Sequence, residues 1–216
     1  MTTSGDGGAH ASVDTAEDTA AEAARAKARR RRRARNEWLI LLALTVVGTF
    51  LIRTFVVQSY RIPSGSMERT LHGGCDPDCG SDRILVNKLA YKLHGIHRGD
   101  VVVFKAVDPS WEEAVGGSED IVKRVIGLPG DTVQCCDAQG RVIRNGKPLN
   151  EKYVYTNGPD PKKQFGPVVV PPGQLFVMGD HRNDSSDSRY NGTIPESSVV
   201  GHAFMRVWPF SRIGLL

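Results

Sequence analysis

Residues 61–71 read Arg61-Ile62-Pro63-Ser64-Gly65-Ser66-Met67-Glu68-Arg69-Thr70-Leu71, and the chain changes character across them. Before them runs a long apolar, helix-like stretch; after them come short β-like runs broken by turns. Pro63 fixes φ and removes a backbone donor, while Gly65 allows backbone angles that a Cβ forbids. Two hydroxyls, Ser64 and Ser66, flank that glycine and can be presented from one tight turn. A serine held on a constrained turn is a candidate nucleophile, but it is weak at neutral pH without a base. Pro-Ser-Gly-Ser taken alone reads equally as an ordinary loop, so the residues on either side have to decide.

Upstream, Trp38 to Ile52 is mostly apolar, and Phe55 to Val57 extends the stretch past Arg53 and Thr54. A helix over 38–57, rising about 1.5 Å per residue, spans about 30 Å, the thickness of a hydrocarbon core. Arg53 falls near its end, where a long side chain can reach the interface. Ahead of it, residues 25–37 carry Lys27 and seven arginines. Such a basic block can serve nucleic acid or an anionic surface, but beside an apolar run it reads as a topogenic cluster. It keeps the N-terminus cytoplasmic and sends everything after about Tyr60 outside. A cleaved leader is disfavoured because Val57-Gln58-Ser59-Tyr60 offers no small-x-small site. Residues 1–24 are small, polar and acidic and read as a disordered tail, with helix starting to be favoured from Ala20. The net charge of +4 therefore hides an acidic tail, a basic block and a nearly balanced remainder.

Downstream, Ile84–Val86, Val101–Phe104, Ile121–Ile126, Val142–Ile143, Val168–Val170, Leu175–Met178 and Val199–Val207 read as strands. Gly99-Asp100, Pro129-Gly130-Asp131 and Pro171-Pro172-Gly173 punctuate them, and Asn145-Gly146 predicts a type I′ hairpin. Loops are expected at 72–82, 106–119 and 155–167. No helical period of useful length occurs outside the apolar run. The chain thus reads as a mostly β domain, 58–216, behind a single N-terminal transmembrane helix.

Four cysteines, Cys75, Cys79, Cys135 and Cys136, are permitted to pair outside a membrane. Their connectivity stays open. Adjacent cysteines and the lack of a two-residue spacing argue against zinc. No His-Glu-x-x-His stretch, phosphate-cradling glycine loop or Gly-x-Ser-x-Gly elbow is present. Of six histidines, only His181 lies in a dense polar cluster, and it reads as structural. Lys123 is unusual because it shares a strand face with Ile121 and Val125. Burial lowers a lysine pKa, and a neutral amine beside a serine hydroxyl can act as its base. An edge-strand charge is the plain alternative. The run Gly179 to Arg189 reads as a solvated loop in which Asp187 and Arg189 can pair.

Ile62 to Met67, Arg98 to Phe104, Val122 to Asp131 and Gly179 to Arg189 together resemble the successive boxes of bacterial type I signal peptidases, in order and behind an anchor. The resemblance covers about 36–216. It implies Ser66 as nucleophile and Lys123 as general base, with Ser64 and the Ser66 N–H forming the oxyanion hole. It further implies that Ser185 holds the lysine amine and that Asp187 and Arg189 brace the site by pairing. Tyr60, Ile62, Met67 and Val122 match positions near a substrate cleft with shallow pockets for alanine-like side chains. The fold implied is a domain of coiled antiparallel β-sheets, extracytoplasmic and single-pass at the cell membrane. His181 stands where many members have asparagine, and Asn183-Asp184 where Asp-Asn is common, so no role carries over to His181 or Asp184. The cysteines receive none either.

The expectation is a membrane-anchored serine endopeptidase that removes signal peptides from exported preproteins. It would need no metal or organic cofactor. Its partners would be preproteins and the lipid bilayer, not nucleic acid; oligomeric state is left open. Two rivals are a self-cleaving Ser/Lys peptidase of the repressor type, which the anchor argues against, and a catalytically silent anchored domain binding export machinery or cell-wall components.

Overall fold

The computed structural model describes residues 10–73, 80–106, 108–114, 120–158 and 164–216. They divide into two compact units, 1–52 and 53–216.

The first unit is dominated by α1, His10–Phe55. Alanine is the best helix former, and no glycine or proline interrupts the helix before Gly48. The helix therefore begins inside the 1–24 tail, ahead of Ala20. Trp38, Leu39, Ile40, Leu41, Leu42, Leu44, Val46, Val47, Phe50 and Ile52 are all more than half exposed. Among the described residues no helix is long and apolar enough to cross a membrane. Part of the span expected at 38–57 (the side chains of Leu51, Thr54 and Phe55) lies outside the described residues.

The second unit is mostly β. In chain order it contains β1 (Val57–Arg61), a 3-10 turn (Gly65–Met67), β2 (Arg83–Asn87), α2 (Ala90–Leu93), β3 (Val101–Lys105) and α3 (Pro109–Ala114). Then follow β4 (Asp120–Gly127), β5 (Thr132–Cys135), β6 (Val142–Arg144), β7 (Lys147–Pro148), β8 (Phe165–Val169) and β9 (Gln174–Met178). The chain closes with α4 (Ser188–Asn191), β10 (Ile194–Pro195), β11 (Val199–Trp208) and β12 (Gly214–Leu215). Each apolar run read as a strand overlaps one of these. The described strands form two antiparallel sheets. The larger is ordered β1-β2-β11-β3-β4-β9-β10, with β12 on β11, and the smaller β7-β6-β5-β8. Register shifts within β11 and between Val125 and Gly127 on β4 bend the larger sheet.

The unbroken Val101-Val102-Val103-Phe104 run is explained by burial of both faces of β3. Val101 and Val103 join a core with Ile62, Met67, Leu71, Ile84 and Val86. Val102 and Phe104 join another with Trp111, Ile121, Val125, Leu175 and Val177. A strand covered on both sides loses the apolar–polar alternation of a half-exposed one. Beneath the small sheet lies a third core of Ile126, Val133, Val142, Val170, Phe176 and Met178. Asn145 (φ 52°) and Gly146 (φ 76°) turn the β6–β7 hairpin, in which Arg144 pairs with Lys147. Positive φ at both central residues is the type I′ geometry.

Asp131 ties the sheets together at the β4–β5 connection. It accepts from Arg98 Nε and Nη2 at 2.8 and 2.9 Å, from the Leu128 N–H at 2.9 Å and from Asn145 Nδ2 at 2.7 Å. Burial alone would raise its pKa, but these donors hold the carboxyl well below the usual range. Cys135 and Cys136 are joined to each other as a disulfide. Cys75 and Cys79 lie outside the described residues.

Candidate active site

The turn after Pro63 is a single 3-10 turn, closed by the Glu68 N–H donating to Gly65 O at 3.0 Å. The Ser66 N–H sits in its first residues, before the turn's own hydrogen bonds begin, so it is available to a ligand. Ser64, extended at φ −132°, ψ 159°, places its Oγ 3.3 Å from Ser66 Oγ. The two hydroxyls that the sequence brought to one turn are therefore also together in space.

Lys123 lies on β4, paired across to Val102 of β3, and is 3% exposed. Its Nζ is 2.7 Å from Ser66 Oγ, donating to it as the ammonium. Fifty-seven residues separate the pair in the chain. Burial pushes the lysine pKa down to about 8; the charges of Asp187, Asp180 and Asp184 resist that shift, and Arg189 adds to it. A neutral amine at this distance can take the hydroxyl proton, because its lone pair meets the O–H directly.

The 179–189 loop supplies the surroundings. Asp187 is fully buried and accepts from Gly179 N–H at 3.0 Å, Ser185 Oγ at 2.8 Å, and Arg189 Nε and Nη2 each at 2.9 Å. Burial alone would raise its pKa, but the Arg189 guanidinium holds the carboxyl below its ordinary range. Arg189 Nη2 also donates to Arg182 O at 2.6 Å. The hydrogen bond of the Ser185 hydroxyl goes to Asp187, whereas Lys123 makes its own to Ser66. Ser185 thus meets the lysine's electrostatic partner rather than its amine. Gly179 is where these pieces converge: a Cβ there would stand 2.5 Å from Ser66 O and overlap Ser185 Oγ.

Ile62, Pro63, Ser64, Gly65, Ser66, Met67, Val122 and Lys123 line one cavity of about 380 Å³, together with Asp120, Ile121, Asp184, Ser185 and Ser186. Ile62 and Met67 do double duty, since both are almost fully buried in the first core. Tyr60 is half-buried on β1 and packs against that core instead of lining the cavity. A larger cavity, about 540 Å³, sits over the small sheet between Val142, Leu149, Phe165 and Met178. Among the described residues no lysine or serine lines it, and the smaller cavity is where hydroxyl and amine meet.

Sequence reading missed the charged pairs that anchor this loop. Arg124 meets Asp180 at 2.8 and 2.6 Å, Thr70 Oγ1 donates to the same carboxylate at 2.5 Å, and Arg182 meets Glu151 at 2.9 and 2.7 Å. Arg124 also lies 4.0 Å over the Tyr153 ring. The only available signal was that Arg124 follows Lys123 inside a buried strand, which demands a partner without naming it. Among the described residues no group of His, Cys, Asp or Glu is disposed to hold a metal ion.

A serine hydroxyl held against a buried amine, in a groove on a β scaffold, is an arrangement in which the amine can activate the hydroxyl as a nucleophile. Residues 35–208 match the family described as signal peptidase, peptidase S26. The chain belongs to that peptidase family. It is 42% identical to the probable signal peptidase I-2 of Synechocystis sp., over 84% of this chain and 78% of that one. It is 38% identical to the signal peptidase I of Mycobacterium tuberculosis, over 84% of this chain and 75% of that one. A signal peptidase I of solved structure from Enterococcus faecalis V583 aligns at 29% identity with 50% of this chain and 97% of its own, with a TM-score of 0.39. That overlay is too loose to bear on the geometry.

Proposed function

We propose that the chain is a membrane-anchored endopeptidase that removes signal peptides from exported preproteins, using Ser66 as nucleophile and Lys123 as general base. The observation that carries this reading is the 2.7 Å approach of a buried lysine amine to the Ser66 hydroxyl. Lys123 takes the proton as Ser66 Oγ attacks the scissile carbonyl, and the ammonium so formed faces the charge of Asp187. It then returns the proton to the leaving amine, and water releases the acyl group by the reverse path. The Ser66 N–H and the Ser64 hydroxyl receive the developing oxyanion. Small side chains before the cut would be received by the groove that Ile62, Met67 and Val122 help to line. Asp187 and Arg189 brace the loop behind the amine, and Ser185 acts through Asp187.

Segment 38–57 is the anchor in this reading, with 1–37 cytoplasmic and 58–216 extracytoplasmic. The exposed apolar side chains from Trp38 to Ile52 support it. Ser66 follows the anchor by nine residues in sequence, so tethering raises the local concentration of enzyme where preproteins emerge.

The test is cleavage of a preprotein by the full chain in detergent across pH. With the amine titrating at about 8, the basic form is depleted below that pH, and kcat should fall about tenfold per pH unit on acidification. A rate flat down to pH values near 5 would exclude a lysine base, and a wild type inactive on every preprotein offered would favour a silent anchored domain. Ser64→Ala should lower kcat by about 10² while leaving KM unchanged, because its hydroxyl acts on the oxyanion alone. An unchanged kcat would remove Ser64 from the oxyanion site.

A further inference from the structure

His181 is 2% exposed and lies behind the 3-10 turn. Its backbone N–H donates to Ser66 O, and its Nδ1 stands 3.1 Å from Gly65 O. The carboxylates of Asp184 and Glu68 lie farther from the same nitrogen, at 3.7 and 3.9 Å, beyond hydrogen-bond reach. A carbonyl only accepts, so Nδ1 carries the proton in this contact. Nε2 is buried with no partner among the described residues. A lone pair there costs less than an orphaned N–H, which favours the same tautomer.

The imidazole also packs against an aromatic neighbour that is itself held in place. Its ring meets Tyr155 at 4.7 Å, and the Arg69 guanidinium caps that tyrosine at 4.6 Å. The Tyr155 N–H donates to Asp180 O at 2.8 Å, and the Arg182 N–H donates to Tyr155 O at 2.9 Å. Asp180 in turn is clamped by Arg124 and Thr70.

The Gly65 carbonyl and the Ser66 N–H belong to one peptide unit. In a planar trans peptide they point in opposite directions, so fixing one aims the other. We propose that His181 is a positioning residue for the oxyanion site: by binding the Gly65 carbonyl alongside the Glu68 N–H that closes the turn, it holds the direction of the Ser66 N–H. This rests on the peptidase reading above and adds a residue to it.

His181→Asn and His181→Phe in the full chain separate the two features of the ring. Asparagine keeps a donor near the Nδ1 position but loses the packing on Tyr155; phenylalanine keeps the packing and loses the donor. With fold checked by circular dichroism, His181→Asn should stay within about threefold of wild-type kcat. His181→Phe should lose about tenfold or more in kcat with KM unchanged, since a misaimed oxyanion donor is felt in the transition state. Wild-type kcat in His181→Phe, or an equal loss in both variants, overturns the proposal. A second measurement does not depend on turnover. In 15N-histidine spectra of the full chain, the His181 signals, assigned by their absence in His181→Asn, should be those of the Nδ1–H tautomer. An Nε2–H tautomer overturns the proposal. Failure of wild type to cleave any preprotein, with the Nδ1–H tautomer present, would instead count against the peptidase reading.

Discussion

Ser66→Ala and Lys123→Met should each abolish preprotein cleavage, by a factor on the order of 10⁴ or more, with the double variant no worse than either single one. A proposed nucleophile and its base would act as a unit, so their losses should not add. Methionine matches lysine in length and carries no basic nitrogen. Near-wild-type turnover by either folded variant would end the Ser66–Lys123 assignment.

The same lysine variant should be more stable than wild type. A lysine titrating near 10.5 when unfolded and at about 8 when folded binds its proton less well in the folded state. Between those values the unfolded chain holds a proton that the folded chain lacks, so wild-type stability rises with pH across that window. Below pH 8 the whole penalty is present, roughly 3 kcal/mol from 1.36 kcal/mol per unit. Lys123→Met removes it, so below pH 8 its Tm should exceed that of wild type, and the slope between about pH 8 and 10.5 should vanish. An unchanged Tm and slope would mean that the lysine is not buried as described.

Asp187→Ala carries the largest expected cost to the fold. It strips Arg189 of both oxygens, leaves the Gly179 N–H and the Ser185 hydroxyl unpaired, and removes the side-chain cap of α4. Breaking one side of a buried ion pair costs about 3–5 kcal/mol, since the surviving charge stays buried without its partner. Denaturant unfolding of the full chain measures it; a loss below about 1 kcal/mol would contradict the network. In any protein that remains folded, the acid limb of the rate profile should move to lower pH. The Asp187 charge raises the lysine pKa, and without it the amine loses its proton more readily.

Much of the β domain was legible because strands covered on both faces write themselves as apolar runs, unbroken in β3 and interrupted only by Lys123 and Arg124 between Ile121 and Ile126 of β4. β1 was missed: Val57-Gln58-Ser59-Tyr60-Arg61 is half polar and follows directly on the apolar helix. β8 was read short at its start because Phe165-Gly166-Pro167 resembles a turn. It lies at the edge of the small sheet, where a proline is tolerated. The short helices α2, α3 and α4 run for at most six residues, too few to establish a period. Lys123 could be found because a charge inside an apolar strand is locally anomalous. The partner of Ser185 could not, since it depends on how the 179–189 loop folds on itself. Nor could the Arg124–Asp180 pair, whose members lie 56 residues apart.

Gly179 has a backbone that any amino acid could adopt, and its requirement for glycine comes from crowding alone. The space a side chain would need is taken by the Ser66 carbonyl and by Ser185. In a library carrying all twenty residues at that position, only glycine should survive selection for secretion. The neighbouring exposed Asp184 should tolerate many substitutions. Drift at position 179 is thus closed to the gene, because the next smallest residue would displace Ser66 from its contact with Lys123.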